Sequence, residues 1–385
     1  MTKPIERVTL ISASVGGGHV AAAKALEQAF LERHLVVRHI DALETTNRAT
    51  RKLFRDGYFE LVSEAPDLVS WLGKRLDNPS EEQTRRDKVM TQLSRMMLRH
   101  LPGAVRDTRP DVIVHTHFVP PAVLSLSRSP IAPEAVVITD YGAHGLWFQR
   151  NVSRYFVASP EIAAHMEHAG VSRQRIAITG IPIGRNYQCL PTQAEARKHL
   201  NLNPGKDVLL LMASGLDDTV LRDLLYYLGQ LRYPLQAVIA CGRSDDLIDV
   251  AKVCVAEYDK PGYSGLVSTK VIGFTTEMQT YMAAADILVG KPGGLTTSEA
   301  LAAGLPFGIV SPYPIQEEAN AMYLLENGVG LVIDPVSVLN VKLKAFFESG
   351  KREAMQQRAR ELAKVDAAND VVRSLLEQPI SFIRS

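Results

Sequence analysis

Twelve short apolar runs, separated by segments of helical spacing, constrain this chain more than any other feature. Six lie in the first half, at 8–12, 36–40, 111–116, 135–139, 154–159 and 175–179. Six lie in the second, at 207–213, 235–241, 270–272, 286–289, 307–310 and 330–333. Strands of nearly continuous apolar character that alternate with helices are buried on both faces, the pattern of parallel sheets with crossover helices. The predicted class is α/β, with two Rossmann-like doubly wound domains. Its 385 residues exceed the roughly 250–300 at which one core stops growing, which also requires two domains. They are predicted at 1–185 and 186–365, with a helix over about 366–385 packing back onto the first. Residues 186–206 carry Pro191, Asn201, Asn203, Pro204 and Gly205 and read as the linker.

Composition narrows the partners. A formal net charge of +1 gives no global field toward nucleic acid, so none is expected as a partner. Cys189, Cys241 and Cys254 have no metal spacing and fit a reducing cytoplasm. The start of the chain leads into a strand without an apolar signal region, and no run of about 18 apolar residues spans a membrane. Residues 48–109 differ in character. They mix Phe54, Tyr58, Phe59 and Trp71 with Arg51, Lys52, Arg55, Arg85 and Arg86, which suits an anionic lipid surface or an amphipathic helix pair packed on its own domain.

In parallel sheets the carboxyl ends of strands face the ligand. After the first run come Gly16, Gly17, Gly18 and His19, in neither the dinucleotide nor the P-loop spacing. His19 falls at a helix N-terminus, where the dipole lowers an imidazole pKa and keeps it neutral, as a general base requires. A histidine capping a tight turn fits the same place. Asp41, after the second strand, stands where a ribose acid would but lacks the glycine fingerprint. His115 and His117 suit structural hydrogen bonding, while Asp140 and His144 are placed to relay a proton.

In the second half the run 286–289 breaks into Lys291, Pro292, Gly293, Gly294, Leu295 and Thr296, with Glu299 just beyond. Free N–H groups at a helix start favour a phosphate, glycines let the backbone approach it, and Glu299 suits ribose hydroxyls. This is a nucleoside diphosphate seat. Around it, Ser214, Gly242 and Arg243 lie in small-residue turns, Phe274 and Thr275 suit the edge of a base, and Gln316, Glu317 and Asn320 suit sugar hydroxyls.

The ordered set is more specific than any one loop. GGGH near the start, Thr139-Asp140-Tyr141…His144…Trp147, Thr179-Gly180-Ile181-Pro182, Gly273-Phe274-Thr275…Met278, Lys291-Pro292-Gly293-Gly294-Leu295-Thr296…Glu299 and Gln316-Glu317-Glu318…Asn320 resemble the monogalactosyldiacylglycerol synthase and processive diacylglycerol glucosyltransferase family. The set is more distantly similar to the lipid II N-acetylglucosaminyltransferase. The resemblance implies a GT-B fold with two domains facing a cleft, the acceptor in the first and the donor in the second. By it, Phe274 and Thr275 match the uracil-edge position and Glu299 the ribose ligand. Gly293, Gly294, Leu295 and Thr296 match the diphosphate loop, with Lys291 donor-side, and Gln316 and Glu317 match the hexose contacts. His19 matches the catalytic base, assisted by Asp140, and Gly17, Gly18, His144 and Trp147 match the acceptor side.

It implies inverting transfer of glucose or galactose from a UDP-hexose to diacylglycerol or a related lipid, with no permanent cofactor and no metal. The place would be the cytoplasmic face of the cell membrane, held peripherally on an anionic surface. A lipid II type transferase, a UDP-sugar 2-epimerase and a UDP-sugar sensor remain as alternatives. Two departures stand out: the turn at Met212 to Leu216 is poorer in glycine than the family's loop, and Ile315 replaces a glycine before Gln316.

Overall fold

The computed structural model describes residues 4–14, 16–46, 97–125, 129–258, 260–310 and 316–383. They form two compact units, Met1–Arg185 with Tyr313–Ala319 and Lys364–Ser385, and Asn186–Pro312 with Asn320–Ala363.

In the first unit, β1 (Arg7–Ser12), β2 (Val36–Asp41), β3 (Val112–His115), β4 (Glu134–Val137), β5 (Val152–Val157) and β6 (Ile176–Ile178) form a parallel sheet. Its order is β2-β1-β3-β4-β5-β6, so the chain reverses direction across the sheet between β1 and β3. The helices between strands are α1 (Gly17–Leu31), α2 (Leu101–Asp107), α3 (Val119–Leu124) and α4 (Pro160–His168). Alternation along each strand divides the core into two layers. Val8, Leu10, Val112, Val114, Ala135 and Val137 pack on one side with Leu26 and Phe30 of α1 and with Val371, Val372 and Leu375 near the C-terminus. Ile11 and Ile113 pack on the other with Leu43, Leu98, Leu101 and Val105.

Leu98, Leu101 and Val105 belong to the segment read as a candidate lipid surface, and the structure instead buries them in the core. The remainder of that segment, up to residue 96, lies outside the described residues. Asp41, placed where a ribose acid would stand, has a structural role: its Oδ1 accepts from the N–H groups of Ser14 and Leu43 at 3.2 and 3.0 Å and holds two turns. His115 donates or accepts at 2.8 Å with buried Glu134, which also accepts from Asn151. Gly180 has φ +89, and a Cβ there would meet the Lys364 Cβ at 2.4 Å, so only glycine lets the chain pass the C-terminal segment.

The second unit repeats the design with β7 (Asp207–Met212), β8 (Leu235–Ala240), β9 (Val267–Ile272), β10 (Ile287–Gly290), β11 (Phe307–Ile309) and β12 (Gly330–Val332). All pairings are parallel, in the order β12-β11-β10-β7-β8-β9, with the reversal between β7 and β10. Its helices are α5 (Gln193–His199), α6 (Asp218–Gly229), α7 (Asp245–Val255), α8 (Met278–Ala284), α9 (Gly294–Ala302), α10 (Gln316–Glu326) from Asn320 onward, α11 (Leu339–Glu348) and α12 (Arg352–Leu362). The last helix of the chain, α13 (Ala367–Glu377), belongs to the first unit.

The linker reading of 186–206 does not hold. Thr192 and Glu195 close a capping box that starts α5. From α5, Arg197 reaches the nearly buried Asp286 at 2.6 Å, and Gln193 donates to the same carboxylate. Asp286 further accepts the Val208 N–H at 2.7 Å. Removing one partner of a buried pair leaves the other charge uncompensated. Asp286→Ala is therefore expected to lower unfolding free energy by about 3–5 kcal/mol, read by denaturant melts. A loss below about 1 kcal/mol would show that solvent reaches the pair.

Candidate active site

Both sheets place their reversal point where glycine-bearing loops gather, and in open α/β sheets that is where ligands bind. In the first unit the loop after β1 leads into α1, whose N-cap is Gly16 with no side-chain cap and whose first turn holds no acid. Its early N–H groups are thus left unsatisfied by side chains. Gly17 and Gly18 open the helix and His19 follows.

His19 is held by residues far away in sequence. Its Nδ1 lies 2.8 Å from the Thr116 carbonyl, just past β3, and 2.8 Å from the Thr139 hydroxyl, just past β4. The Thr116 hydroxyl in turn donates to the His19 carbonyl at 2.8 Å. A carbonyl oxygen only accepts, so Nδ1 must carry the ring proton. Nε2 is then bare. Burial lowers the His19 pKa from 6.5, opposed by the negative charge of Asp140 and by the Thr116 carbonyl. Both opposing effects favour the imidazolium that forms when the ring accepts a second proton.

An aromatic cluster surrounds this imidazole. His117 meets His19 edge to face with ring centroids 4.6 Å apart and stacks on Phe118 at 4.4 Å. Phe118 meets His144 at 5.0 Å and Trp147 at 5.5 Å. His144 is pushed down to about 4 by burial and by His19, so the ring is uncharged near neutral pH. Trp147 is fully buried. It packs on Phe118 and His144.

In the second unit the predicted donor residues occupy successive strand ends. Ser214 is exposed after β7; Gly242 and Arg243 follow β8; Phe274 and Thr275 follow β9; and Met278 opens α8. Gly242 has φ +64, and a Cβ there would lie 3.2 Å from the Ser214 hydroxyl, so the first two loops touch. The Arg243 guanidinium lies 3.9 Å from the centre of the exposed Phe274 ring, a cation–π pair that orients both. Lys291 and Gly293 connect β10 to α9, whose N-cap, Gly293, makes no side-chain bond and whose first turn has no acid. Gly294, Leu295 and Thr296 form that turn, and Glu299 follows one turn later.

Glu299 is the most perturbed carboxyl here. Burial pushes it up to about 7, partly offset by the Tyr187 hydroxyl that donates to it. Tyr187 also lies 3.5 Å from the Met282 sulfur. The segments expected to contact the hexose do not share one unit. Glu317 lies in the stretch that packs with the first unit, Asn320 is fully buried in the second, and the side chain of Gln316 lies outside the described residues.

Four partners escaped sequence reasoning: Thr116, Thr139, His117 as a ring against His19, and Tyr187. The first three stand at strand carboxyl ends, Thr116 and His117 beside the reversal and Thr139 one strand further on, which is a usable signal once strand order is known. Tyr187 carries no comparable signal.

Solved glycosyltransferases superpose on nearly all of the chain. MurG of Acinetobacter baumannii matches with a TM-score of 0.64 at 18% identity, covering 97% of this chain and 99% of that one. Anabaena HepE in complex with UDP-glucose matches at 0.57 and 14%, covering 96% and 99%. This fold is GT-B, the architecture of nucleotide-sugar glycosyltransferases. The family model described as Monogalactosyldiacylglycerol (MGDG) synthase matches residues 19–183, and that of the glycosyltransferase family 28 C-terminal domain matches residues 216–372. Curated relatives match along the same length. Processive diacylglycerol beta-glucosyltransferase of Bacillus cytotoxicus is 27% identical, covering 97% of this chain and 94% of the relative. That of Staphylococcus carnosus is 27% identical, with 86% and 81% covered. The first part of the chain is thus similar to monogalactosyldiacylglycerol synthases and the second to family 28 glycosyltransferases, and its full length is similar to processive diacylglycerol glucosyltransferases.

The His19 geometry is directly measurable. With the histidines labelled with ¹⁵N, His19 at pH 7 is expected to show a protonated Nδ1, a bare Nε2 and a titration midpoint below 6.5. A protonated Nε2 in the neutral ring would contradict the assignment.

Proposed function

We propose that this protein transfers a hexose, glucose or galactose, from a UDP-sugar to diacylglycerol or a related lipid alcohol, with inversion at the anomeric carbon. The observation that carries the proposal is His19: a neutral imidazole whose Nδ1 proton is tied to the Thr116 carbonyl and whose Nε2 is free to take a proton. In this reading the first unit holds the acceptor and the second the donor. Glu299 accepts from the ribose hydroxyls, Phe274 and Thr275 flank the uracil, and the N–H groups that open α9 meet the diphosphate.

The step is a single displacement. His19 Nε2 takes the proton of the acceptor hydroxyl, and the oxygen's electron pair forms the new bond to the anomeric carbon. The bond from that carbon to the β-phosphate oxygen breaks, and its pair leaves with UDP. Charge developing on the phosphate meets Gly294 and Leu295 at the helix N-terminus, where aligned amide dipoles favour it. The imidazolium formed on His19 is stabilised by Asp140 and by the Thr116 carbonyl. No metal enters this step.

The lipid acceptor supports a site on the cytoplasmic face of a membrane. The basic and aromatic composition of 48–96 suits an anionic surface, and no described helix is long and apolar enough to cross a bilayer.

Radiolabelled UDP-glucose, UDP-galactose and UDP-N-acetylglucosamine, each given with diacylglycerol vesicles and a chelator, separate the readings. Label from a hexose donor is expected in lipid. Saturable donor binding with no labelled lipid would refute transfer, and label only from the acetamido sugar would favour the lipid II reading.

Glu299 adds a pH signature. A carboxyl that ionises near 7 accepts more strongly, and through both oxygens, above that pH. Affinity for UDP-glucose, whose diphosphate diester does not titrate in this range, is therefore expected to rise between about pH 6 and 8. Glu299→Gln is expected to bind more weakly and to lose that slope; an unchanged slope would remove Glu299 from the ribose site.

A further inference from the structure

The ring of His117 is almost completely buried, and its hydrogen bonding fixes its tautomer. The backbone N–H of Val119 donates to His117 Nδ1 at 3.1 Å. An N–H only donates, so that nitrogen is bare. Burial, with His19 and His144 beside it, drives the His117 pKa well below 6.5, so the ring is neutral and its one proton is on Nε2. That Nε2–H is shielded from solvent and finds no hydrogen-bond partner among the described residues. A buried donor left unmade costs about 1–3 kcal/mol, so the fold keeps this one at some expense.

Two adjoining rings therefore carry opposite halves of a hydrogen-bond pair. His19, with its Nδ1 engaged by Thr116 and Thr139, offers a bare Nε2. His117, 4.6 Å away between centroids and turned 78° to it, offers an N–H. An un-ionised alcohol is the group that satisfies both, since its oxygen accepts one hydrogen bond while its proton makes another. Resting on the transfer reading above, we propose that His117 orients the acceptor: its Nε2–H donates to the hydroxyl oxygen whose proton His19 Nε2 removes.

The consequence is chemical as well as geometric. A donor on the attacking oxygen fixes which way its remaining lone pair points, and stabilises charge as the proton leaves. Because His117 stays neutral, it does not compete with the hydroxyl to protonate His19. The unpaired N–H is satisfied only when the acceptor is bound, which favours alcohols over groups that cannot accept and donate together.

Two substitutions divide the ring's two functions. In His117→Asn the side-chain carbonyl replaces Nδ1 and keeps the Val119 N–H engaged, but the Nε2 donor is lost. In His117→Gln the amide N–H reaches the Nε2 position, while the Val119 contact is given up. We expect the Asn variant to lose about 10–100-fold in kcat/KM for diacylglycerol, with UDP-glucose affinity unchanged and the fold retained. The Gln variant is expected to retain most transfer. The reverse order, equal losses, or no loss in either variant would each overturn the proposal. In the wild type, a short-chain diacylglycerol is expected to move the ¹⁵N resonance of His117 Nε2, and no movement would equally overturn it. A wild type that binds UDP-glucose but labels no lipid would instead overturn the transfer reading itself.

Discussion

The hydrogen bond from His19 Nδ1 to the Thr116 carbonyl is the interaction on which the chemistry of this chain depends. It couples the start of α1 to the end of β3, the two strands' loops that part company at the sheet reversal. One bond thereby sets the tautomer, the direction of Nε2 and the position of the ring. Burial alone would leave His19 a poor base by disfavouring its charged form. Asp140 and the same carbonyl oppose that effect, so the ring is neutral at rest and stabilised once protonated.

The second unit solves a different problem with similar parts. A diphosphate needs positive potential without a competing internal anion, and α9 offers an uncapped glycine start with no acid in its first turn. The carboxyl of Glu299, in its second turn, is buried enough to be pushed up to about 7, and the Tyr187 hydroxyl donates to it. The seat is therefore less negative below neutral pH than its sequence implies. Below the reversal, the Asp286 carboxylate anchors β10, β7 and α5 together. The rigid frame and the ligand loops so lie at opposite ends of the same strands, which lets loops carry function while strand starts carry stability.

The alternation of apolar runs was enough to read two doubly wound sheets, because strands buried on both faces leave continuous apolar stretches. Strand ends then pointed to His19, Asp140, Gly293 and Glu299. What local pattern misread was decided by distant partners. Residues 186–206 look like a linker because Pro191, Asn203, Pro204 and Gly205 punctuate them, yet Arg197 ties α5 to an aspartate 89 positions away. Leu98, Leu101 and Val105 match an amphipathic surface helix equally well, and only the packing of Ile11 and Ile113 against them shows the core. His117 looked structural since one of its nitrogens is indeed a backbone cap; the second, unpaired nitrogen is invisible without coordinates. Trp147, read as an acceptor-side residue, is fully buried against Phe118 and His144.

The most direct test of His19 as the base compares His19→Gln and His19→Ala with the wild type, using UDP-glucose binding alongside single-turnover transfer to diacylglycerol. Glutamine keeps a polar group near Nε2 but cannot take a proton at neutral pH. Both variants are expected to bind UDP-glucose as the wild type does and to lose about 10²–10⁴ in the rate of transfer. A His19→Gln enzyme that transfers at the wild-type rate would contradict the mechanism.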